Sequence, residues 1–315
     1  MIVRWRLAEL AATLADAGIE RPFLIASSRW SHLDLPHVRS WTEVPSHRVE
    51  VPEGADGILA VGGGSAIDTG KFASAENGKP LVSVPTTYSG AEWTTMFGIR
   101  SPDRRMQGGG RGAHPVAIVY DVELTLGLPQ AESVGTAMNA LAHCAEALYV
   151  SGRGDEGDEQ ALEGARLIRQ WLPRVAAAGD DREAREGLLH GAAHAGHALG
   201  LAGLGLAHAM AQALGGRYGL PHGAMNALCL PPALAFNRAF VPEEVARFGE
   251  AIGGEPVATT RELALLGGFE RLRDFGVPRE DLAAVAGATV GRGGNQANPR
   301  IATAAEICEL LTTIW

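Results

Sequence analysis

Short apolar runs and amphipathic segments alternate along the first 127 residues of the chain. Runs of this length, bounded by turn residues, predict buried strands. The predicted strands cover residues 23–26, 47–51, 57–61, 80–84 and 116–120, with one helix through Asp16 and another from Ser65. Leu7, Leu10 and Leu14 recur at helical spacing, so the chain is expected to open directly in a helix. Strands that alternate with helices predict a parallel, doubly wound α/β sheet.

After residue 127 the pattern changes to long segments rich in alanine and leucine at helical spacing. The clearest of these segments are residues 131–150, 158–178, 182–200 and 241–252. Strand candidates are almost absent from this half. The sequence therefore predicts an α/β domain over residues 1–127 and an all-α domain over residues 128–315.

The tightest cluster of small residues directly follows the predicted strand 57–61. Gly62, Gly63 and Gly64 end this strand, and Ser65 stands at the expected N-cap of the next helix. A backbone without Cβ atoms can approach a phosphate closely, and the free N–H groups and helix dipole face it. An ordinary turn between strand and helix is the alternative, because the Gly-x-Gly-x-x-Gly fingerprint is absent.

A second loop strengthens the interpretation as a ligand site. The predicted strand 80–84 runs directly into Pro85-Thr86-Thr87-Tyr88-Ser89-Gly90. Parallel strands end at one edge of their sheet, so these hydroxyl groups are expected beside the glycine turn. We predict that Gly62 to Ser65 wrap a nucleotide pyrophosphate and that Thr86 and Thr87 contact its other half.

Charge and cysteine content restrict the class of partner. The 315 residues carry a net charge of −9 and contain no basic block, which argues against nucleic acid. No stretch approaches the length of a membrane span. The three cysteines, Cys144, Cys229 and Cys308, are widely spaced in apolar sequence, so a reducing cytoplasm is expected.

Two of these motifs resemble a known family. Gly-Gly-Gly-Ser-x-x-Asp-x-x-Lys at 62–71 and Pro-Thr-Thr-x-x-Gly at 85–90 are similar to the iron-containing alcohol dehydrogenase superfamily. That family shares the fold of dehydroquinate synthase, a Rossmann-like parallel-sheet domain followed by an all-α domain. The resemblance implies an NADPH- or NADH-dependent oxidoreductase, and a homodimer. The expected cofactor contacts are Gly62, Gly63, Gly64, Ser65, Asp68, Thr86, Thr87, Ser89 and Ser27.

The second half of the chain contains a few polar residues within otherwise apolar sequence. Asn139 and His143 are four apart on a predicted helix and share a face, with Glu146 near it. His208 follows a glycine-rich stretch, and His222 lies in a Leu-Pro-His-Gly turn. The superfamily's metal site uses an Asp and a His four apart, then two His fourteen apart. This chain matches at all three histidines and has Asn139 in place of the aspartate.

An amide oxygen is neutral and binds Fe²⁺ or Zn²⁺ more weakly than a carboxylate, although three histidines can still hold zinc. Met-Asn-Ala-x-Ala-His at 138–143 resembles the maleylacetate reductase branch, which carries Asn here and requires no metal. Further stretches similar to this branch are residues 84–92, 120–126, 214–222, 230–237 and 298–300. The resemblance therefore implies that a metal is not required; a bound ion would lie at His143, His208 and His222.

The branch implies hydride transfer from the nicotinamide to a carbon–carbon double bond conjugated to a ketone, in an oxo-dicarboxylate. Asn139, His143, His208 and His222 are then expected to stabilise the enolate oxygen, and a histidine or water to protonate the α-carbon. Tyr88 either contacts cofactor or substrate, or packs behind the strand. Ser27-Ser28-Arg29 lacks the acidic residue that repels a 2′-phosphate, so NADPH should be used at least comparably to NADH.

Other interpretations stay open. A metal-dependent alcohol or aldehyde dehydrogenase would use the same histidines to polarise an alkoxide. The fold also hosts non-redox lyases and cyclases. A binding protein without catalysis is the third alternative, since Gln212 replaces a histidine usual in the family.

Two further segments have patterns that could indicate a functional role. Residues 104–111 are expected to form a flexible surface loop or a mobile anion-contacting loop. His190, His194 and His197 share one helix face, and a polar stripe is expected there rather than a metal site.

Overall fold

The computed structural model describes residues 1–46, 48–100 and 105–315. The chain forms two compact units, Met1–Gly127 and Leu128–Trp315. Within the described residues no single helix is long and apolar enough to cross a membrane, and one bent pair, Arg182–Ala202 with Leu206–Tyr218, meets that test only together.

The first unit contains a parallel sheet of six strands: β1 (Ile2–Arg4), β2 (Pro22–Ala26), β3 (Arg39–Trp41), β4 (Gly57–Gly62), β5 (Leu81–Pro85) and β8 (Ala117–Val119). They run across the sheet in the order β1-β8-β5-β4-β2-β3. Two further strands, β6 (Met96–Arg100) and β7 (Met106–Arg111), pair antiparallel in a separate hairpin. The register places Ala26 beside Val61 and Gly62 beside Pro85, so β2, β4 and β5 end at the same edge.

Alternating side chains along the central strands build a core on each face of the sheet. Phe23, Ile25 and Ile58 belong to one buried cluster, whereas Leu59 and Val84 belong to the other. This double burial explains why the strands read as continuous apolar runs.

Helix α1 (Leu10–Asp16) precedes β2, and α2 (Gly64–Asn77) joins β4 to β5. Helix α2 packs closely on the sheet because Gly70 has no side chain: a Cβ atom there would lie 2.7 Å from Ala60 Cβ.

Four expectations for this unit were wrong. The chain opens in strand β1 rather than a helix, because residues 2–4 complete the edge of the sheet beside β8. Residues 48–51 form no strand, and His47 lies outside the described residues; the edge strand is β3 instead. Helix α2 begins at Gly64 with Gly63 as its N-cap, two residues before the predicted N-cap Ser65.

The fourth error concerns residues 104–111. Arg104 lies outside the described residues, but Met106–Arg111 forms strand β7 and not a loop. Gly109 permits this pairing, since a Cβ atom there would lie 2.6 Å from the carbonyl oxygen of Phe97.

The second unit is helical over all its described regular structure apart from short 3₁₀ turns. Its helices are α3 (Gln130–Ala147), α4 (Asp155–Ala177), α5 (Arg182–Ala202), α6 (Leu206–Tyr218), α7 (His222–Asn237), α8 (Pro242–Ala251), α9 (Pro256–Leu265), α10 (Leu282–Val290), α11 (Gly293–Gln296) and α12 (Ala304–Thr313). The predicted α/β-then-all-α fold is confirmed. Helices α3 and α7 approach at two glycines, where a Cβ atom on Gly223 would lie 2.4 Å from the carbonyl carbon of Gly135.

Candidate active site

The glycine turn of the first unit is shaped by close approach of two strand ends. Gly62 adopts φ +149°, a conformation that favours glycine, and its carbonyl accepts a hydrogen bond from the Thr86 N–H at 3.0 Å. A Cβ atom on Gly63 would lie 2.9 Å from Thr87 Cγ2. The turn and the second loop are therefore held together by contacts that only glycine permits.

The same turn has the chemistry of a phosphate cradle. Gly64 and Ser65 are the first residues of the 14-residue helix α2, so their N–H groups have no acceptor within the helix. Thr87 Oγ1 is buried and has no hydrogen-bond partner among the described residues, and Ser89 Oγ lies 3.6 Å from the Cβ position of Gly64. These donors fit the pyrophosphate of a dinucleotide.

The remaining predicted cofactor residues have varied surroundings. Asp68 accepts hydrogen bonds from Lys71 Nζ at 3.3 Å and from the Gly98 N–H at 3.0 Å, so it also ties α2 to β6. Ser27 is half-buried directly after β2, at the edge where the glycine turn lies. Tyr88 is fully buried, as the packing alternative requires, and its contact with a ligand stays a prediction.

A buried polar cluster that the sequence did not reveal supports this second loop. The fully buried Lys71 Nζ donates to Thr94 Oγ1 at 3.2 Å and to the Met96 carbonyl at 2.7 Å, in addition to Asp68. Burial lowers the pKa of Lys71, although the nearby carboxylates oppose that effect. Lys71 was visible only as the last residue of the glycine-rich motif.

Glu92 and Tyr120 form the other part of this cluster. The Tyr120 hydroxyl donates to Glu92 Oε1 and accepts from Trp93 Nε1, each at 2.7 Å. Burial raises the pKa of Glu92 and, together with the Glu92 charge, raises the pKa of Tyr120. No spacing rule connects residues 92 and 120 in the sequence, because the sheet alone brings them together.

In the second unit, the four predicted polar residues of α3, α6 and α7 come together. The rings of His143 and His208 stack with centroids 4.7 Å apart, and that of His222 lies 5.7 Å from His208. Asn139 lies between them, with Nδ2 3.3 Å from His143 Nε2 and Oδ1 3.2 Å from His208 Nε2. We call these residues, together with Glu146 and Asn226, the histidine–asparagine network.

Glu146 fixes the orientation of His208. Its Oε2 atom accepts from His208 Nδ1 at 2.6 Å and from the Gly205 N–H at 2.8 Å, and Oε1 accepts from the His208 N–H at 3.2 Å. Glu146 is fully buried, and His208 is only 1% exposed. Both ring nitrogens of His208 thus face oxygen atoms, Nδ1 that of Glu146 and Nε2 that of Asn139.

Asn226 was missed in the sequence. It is fully buried, and its Nδ2 donates to Asn139 Oδ1 at 2.7 Å and lies 3.0 Å from His222 Nε2. Asn226 follows His222 by four residues on α7, so the spacing rule that paired Asn139 with His143 could have found it.

The network distinguishes the three histidines. Nε2 of His143 and of His222 each face an amide nitrogen, which can only donate, so both atoms act as acceptors. Burial lowers the pKa of His143 well below its ordinary value, and the neighbouring rings of His208 and His222 lower it further. The geometry therefore combines neutral acceptor rings with one ring, His208, placed beside a carboxylate.

This arrangement does not fit a metal ion. Amide groups of Asn139 and Asn226 face the Nε2 atoms that would have to coordinate it. In the part of the chain that the structure describes, no three His, Cys, Asp or Glu side chains are placed to hold one. Coordination would require both amides to leave these nitrogens.

His190, His194 and His197 lie on α5 outside the network. His194 Nδ1 is 2.7 Å from Gln160 Oε1, and His197 Nε2 is 3.7 Å from Glu156. These contacts with α4 agree with a polar stripe between two helices.

Both halves of the chain match models of the same protein family. Residues 7–129 match the family model "Iron-containing alcohol dehydrogenase", and residues 133–315 match "Fe-containing alcohol dehydrogenase family, C-terminal". The chain is 33% identical over 306 residues to a maleylacetate reductase of Sphingobium indicum, covering 96% of this chain and 84% of that protein.

Two crystal structures extend the comparison to the fold. The maleylacetate reductase from Agrobacterium tumefaciens superposes with a TM-score of 0.87 at 28% identity, covering 100% of this chain and 95% of that one. An iron-containing alcohol dehydrogenase from Corynebacterium glutamicum superposes with a TM-score of 0.89 at 29% identity, covering 100% and 94%.

Proposed function

The chain belongs to the iron-containing alcohol dehydrogenase family, in its maleylacetate reductase branch, and we propose that it reduces a maleylacetate-like oxo-dicarboxylate. It is an NAD(P)-dependent oxidoreductase by family. The observation that carries the proposal is the histidine–asparagine network, in which the amides of Asn139 and Asn226 contact the Nε2 atoms that a metal ion would need.

Each unit contributes a separate part of this chemistry. In the first, the N–H groups of Gly64 and Ser65 and the hydroxyl of Thr87 bind the cofactor pyrophosphate. The bound nicotinamide supplies the hydride. In the second, the network stabilises negative charge on the ketone oxygen as the double bond accepts that hydride, because His208 and the amides are preorganised donors.

A proton must then reach the α-carbon to complete the reduction. His208 is the side chain suited to donate it, since Glu146 holds its other nitrogen and stabilises the charged ring. The balanced reaction adds one hydride and one proton to the double bond. We propose that it requires no metal, because Asn139 and Asn226 form hydrogen bonds with the histidine nitrogens that would coordinate one.

The cofactor form is part of the proposal. Arg29 stacks on Trp30 at 5.2 Å and donates to the Gly127 carbonyl at 2.6 Å, which leaves other guanidinium N–H groups for a 2′-phosphate. NADPH is therefore used at least comparably to NADH. A strong preference for NADH in kcat/KM would contradict this assignment.

We also propose a cellular location and an assembly for the chain. The described cysteines are all free, with Cys144 and Cys229 buried, which agrees with the reducing cytoplasm expected from the sequence. A homodimer stays a prediction from the family resemblance.

A metal-dependent alcohol or aldehyde dehydrogenase is the second candidate. One observation favours it: a carboxylate on Nδ1 of His208 is the outer partner that metal-bound histidines commonly have. The amide contacts of the two other histidines weigh against it.

The test is an assay of purified protein with a panel of substrates. Loss of the absorbance of NADPH or NADH with maleylacetate, and not with saturated aldehydes or alcohols, is the expected result. Turnover of alcohols or aldehydes alone would favour the second candidate. Failure with every unsaturated oxo-dicarboxylate would overturn the proposed function.

A further inference from the structure

Arg292 is a half-buried cation with no counterion among the residues that the structure describes. It directly precedes the short helix α11, and its Nε atom is buried with no hydrogen-bond partner among the described residues. No described carboxylate forms an ion pair with it, and burial alone lowers its pKa. An unpaired, partly desolvated guanidinium is unfavourable, so an anion at this position would recover free energy.

Two other arginines of the second unit have their charges held by structural contacts. Arg300 pairs with Glu306 and stacks on Phe236 and Phe240, 4.7 and 4.6 Å from their ring centroids. The fully buried Arg185 donates to two carbonyls and a hydroxyl. The guanidinium groups of Arg185 and Arg300 both form structural contacts of this kind. No such contact is formed by Arg292 among the described residues.

The backbone around Arg292 is fixed. Its N–H donates to the Thr289 carbonyl and its own carbonyl accepts from the Asn295 N–H, both at 3.0 Å. The fully buried Asn295 side chain donates to the carbonyls of Val290 and Ala302, each at 3.0 Å. A cation on such a segment needs little ordering to bind a ligand.

Arg292 is two residues before Gly294, which packs against Gly205 next to the network. A Cβ atom on Gly294 would lie 2.2 Å from the Gly205 carbonyl oxygen, so α11 packs against the start of α6. The Gly205 N–H donates to Glu146, which holds His208. Gly291 and Gly293 flank Arg292 and have open space at their Cβ positions, so neither neighbour obstructs an approaching ligand.

We propose that Arg292 binds one carboxylate of a dicarboxylate substrate whose reacting end lies at the histidine–asparagine network. This inference rests on the proposed function. A dianion approaching a chain of net charge −9 needs a local cation. The planar guanidinium binds a carboxylate through two parallel hydrogen bonds, which a lysine cannot reproduce.

The first experiment measures the binding of adipate, a six-carbon dicarboxylate, and hexanoate, its monocarboxylate counterpart, by calorimetry. Wild-type protein should bind adipate at least about tenfold more tightly, since only adipate can pair with Arg292 while its other end is bound. Arg292→Gln should remove this difference, and Arg292→Lys should restore part of it. Absence of any preference for adipate in the wild type would overturn the proposal without use of a variant.

The second experiment measures kinetics with maleylacetate. Arg292→Gln should raise KM by about 30-fold and leave kcat nearly unchanged, because the lost contact is remote from the reacting carbons. Arg169→Gln is the matched control: its Nε is likewise buried without a partner, but it lies on α4, which contributes nothing to the network.

The two arms separate this proposal from the proposed function. Arg292-dependent adipate binding without maleylacetate reduction would retain Arg292 and reject the reductase. If Arg292→Gln reduced maleylacetate normally with an unchanged KM, the proposed function would be retained and the role of Arg292 rejected. Equal effects of Arg292→Gln and Arg169→Gln would show a general charge effect and overturn the assignment.

Discussion

In the first unit the candidate cofactor site is made of backbone, and in the second the candidate substrate site is made of side chains. The glycine turn comes from one contiguous stretch and works because Cβ atoms are missing at Gly62 and Gly63. The network draws on three helices and works because its amide groups contact the Nε2 atoms of all three imidazoles. Different substitutions should therefore damage each region.

The largest effect is expected at Gly63. Gly63→Val would place a branched side chain against Thr87, where even a Cβ atom lies at 2.9 Å, and would close the approach to the N–H groups of α2. Nucleotide affinity should fall by about 100-fold or more, measured by fluorescence titration with NADPH. Gly287→Val is the control, because that glycine is exposed with no atom near its Cβ position. Unaltered affinity with native circular dichroism would reject the cradle.

Glu146→Gln tests the site that is built from side chains, the histidine–asparagine network. The amide keeps the shape of the side chain but presents an N–H₂ group to a site where three donors converge. His208 should lose its orientation and its charge stabilisation, so kcat/KM should fall by about 100-fold. Glu163→Gln, which removes only an exposed pair with Arg166, serves as control. A Glu146→Gln enzyme within twofold of wild type would contradict the assigned role.

Asn139→Asp sharpens the comparison by changing a charge at constant size. The carboxylate adds a hard anionic ligand beside three histidines, so affinity for Fe²⁺ or Zn²⁺ should rise by about tenfold or more. The same charge repels a dianionic substrate and cannot donate to His143, so reductase activity should fall. Metal titration and steady-state kinetics on one preparation check both signs. Increased activity at unchanged metal affinity would reject the network as described.

Glu92→Gln is the mildest change and tests the buried cluster of the first unit. The pKa of Glu92 is raised from 4.5, so above about pH 4.5 the unfolded carboxyl loses a proton that the folded one retains. Unfolding becomes easier as pH rises through this window, and glutamine removes that penalty while still accepting from Tyr120. Urea unfolding should show Glu92→Gln gaining stability over wild type as the pH rises above about 4.5. A variant that loses relative stability as pH rises would show that Glu92 is ionised and favourably paired.

The same contrast explains how far the sequence could be interpreted. The strand–glycine–helix stretch was predictable because its chemistry depends on neighbours in the chain, although the helix begins at Gly64 rather than after Ser65. Strand β7 was missed since its glycines are local turn signals that only pairing with β6 overrides. The edge strands β1 and β3 have three residues each, too short for a periodic pattern.

For the second site, the sequence could predict which residues take part but not the hydrogen bonds between them. The spacing of Asn139 and His143, and the family resemblance at His208 and His222, named four residues that the structure brings together. Helix crossing decides that Glu146 turns toward His208 and that Asn226 reaches Asn139. Arg292 had no signal, because an unpaired charge is recognisable only once all its possible partners are placed.

The central claim is that the histidine–asparagine network supports reduction without a metal ion. The most direct test determines the metal content of purified wild-type protein by elemental analysis and its maleylacetate reductase activity before and after treatment with a chelator. We predict well under one metal ion per chain and undiminished activity after chelation. One tightly bound Fe²⁺ or Zn²⁺ per chain, with activity lost on its removal and restored by its return, would contradict the claim.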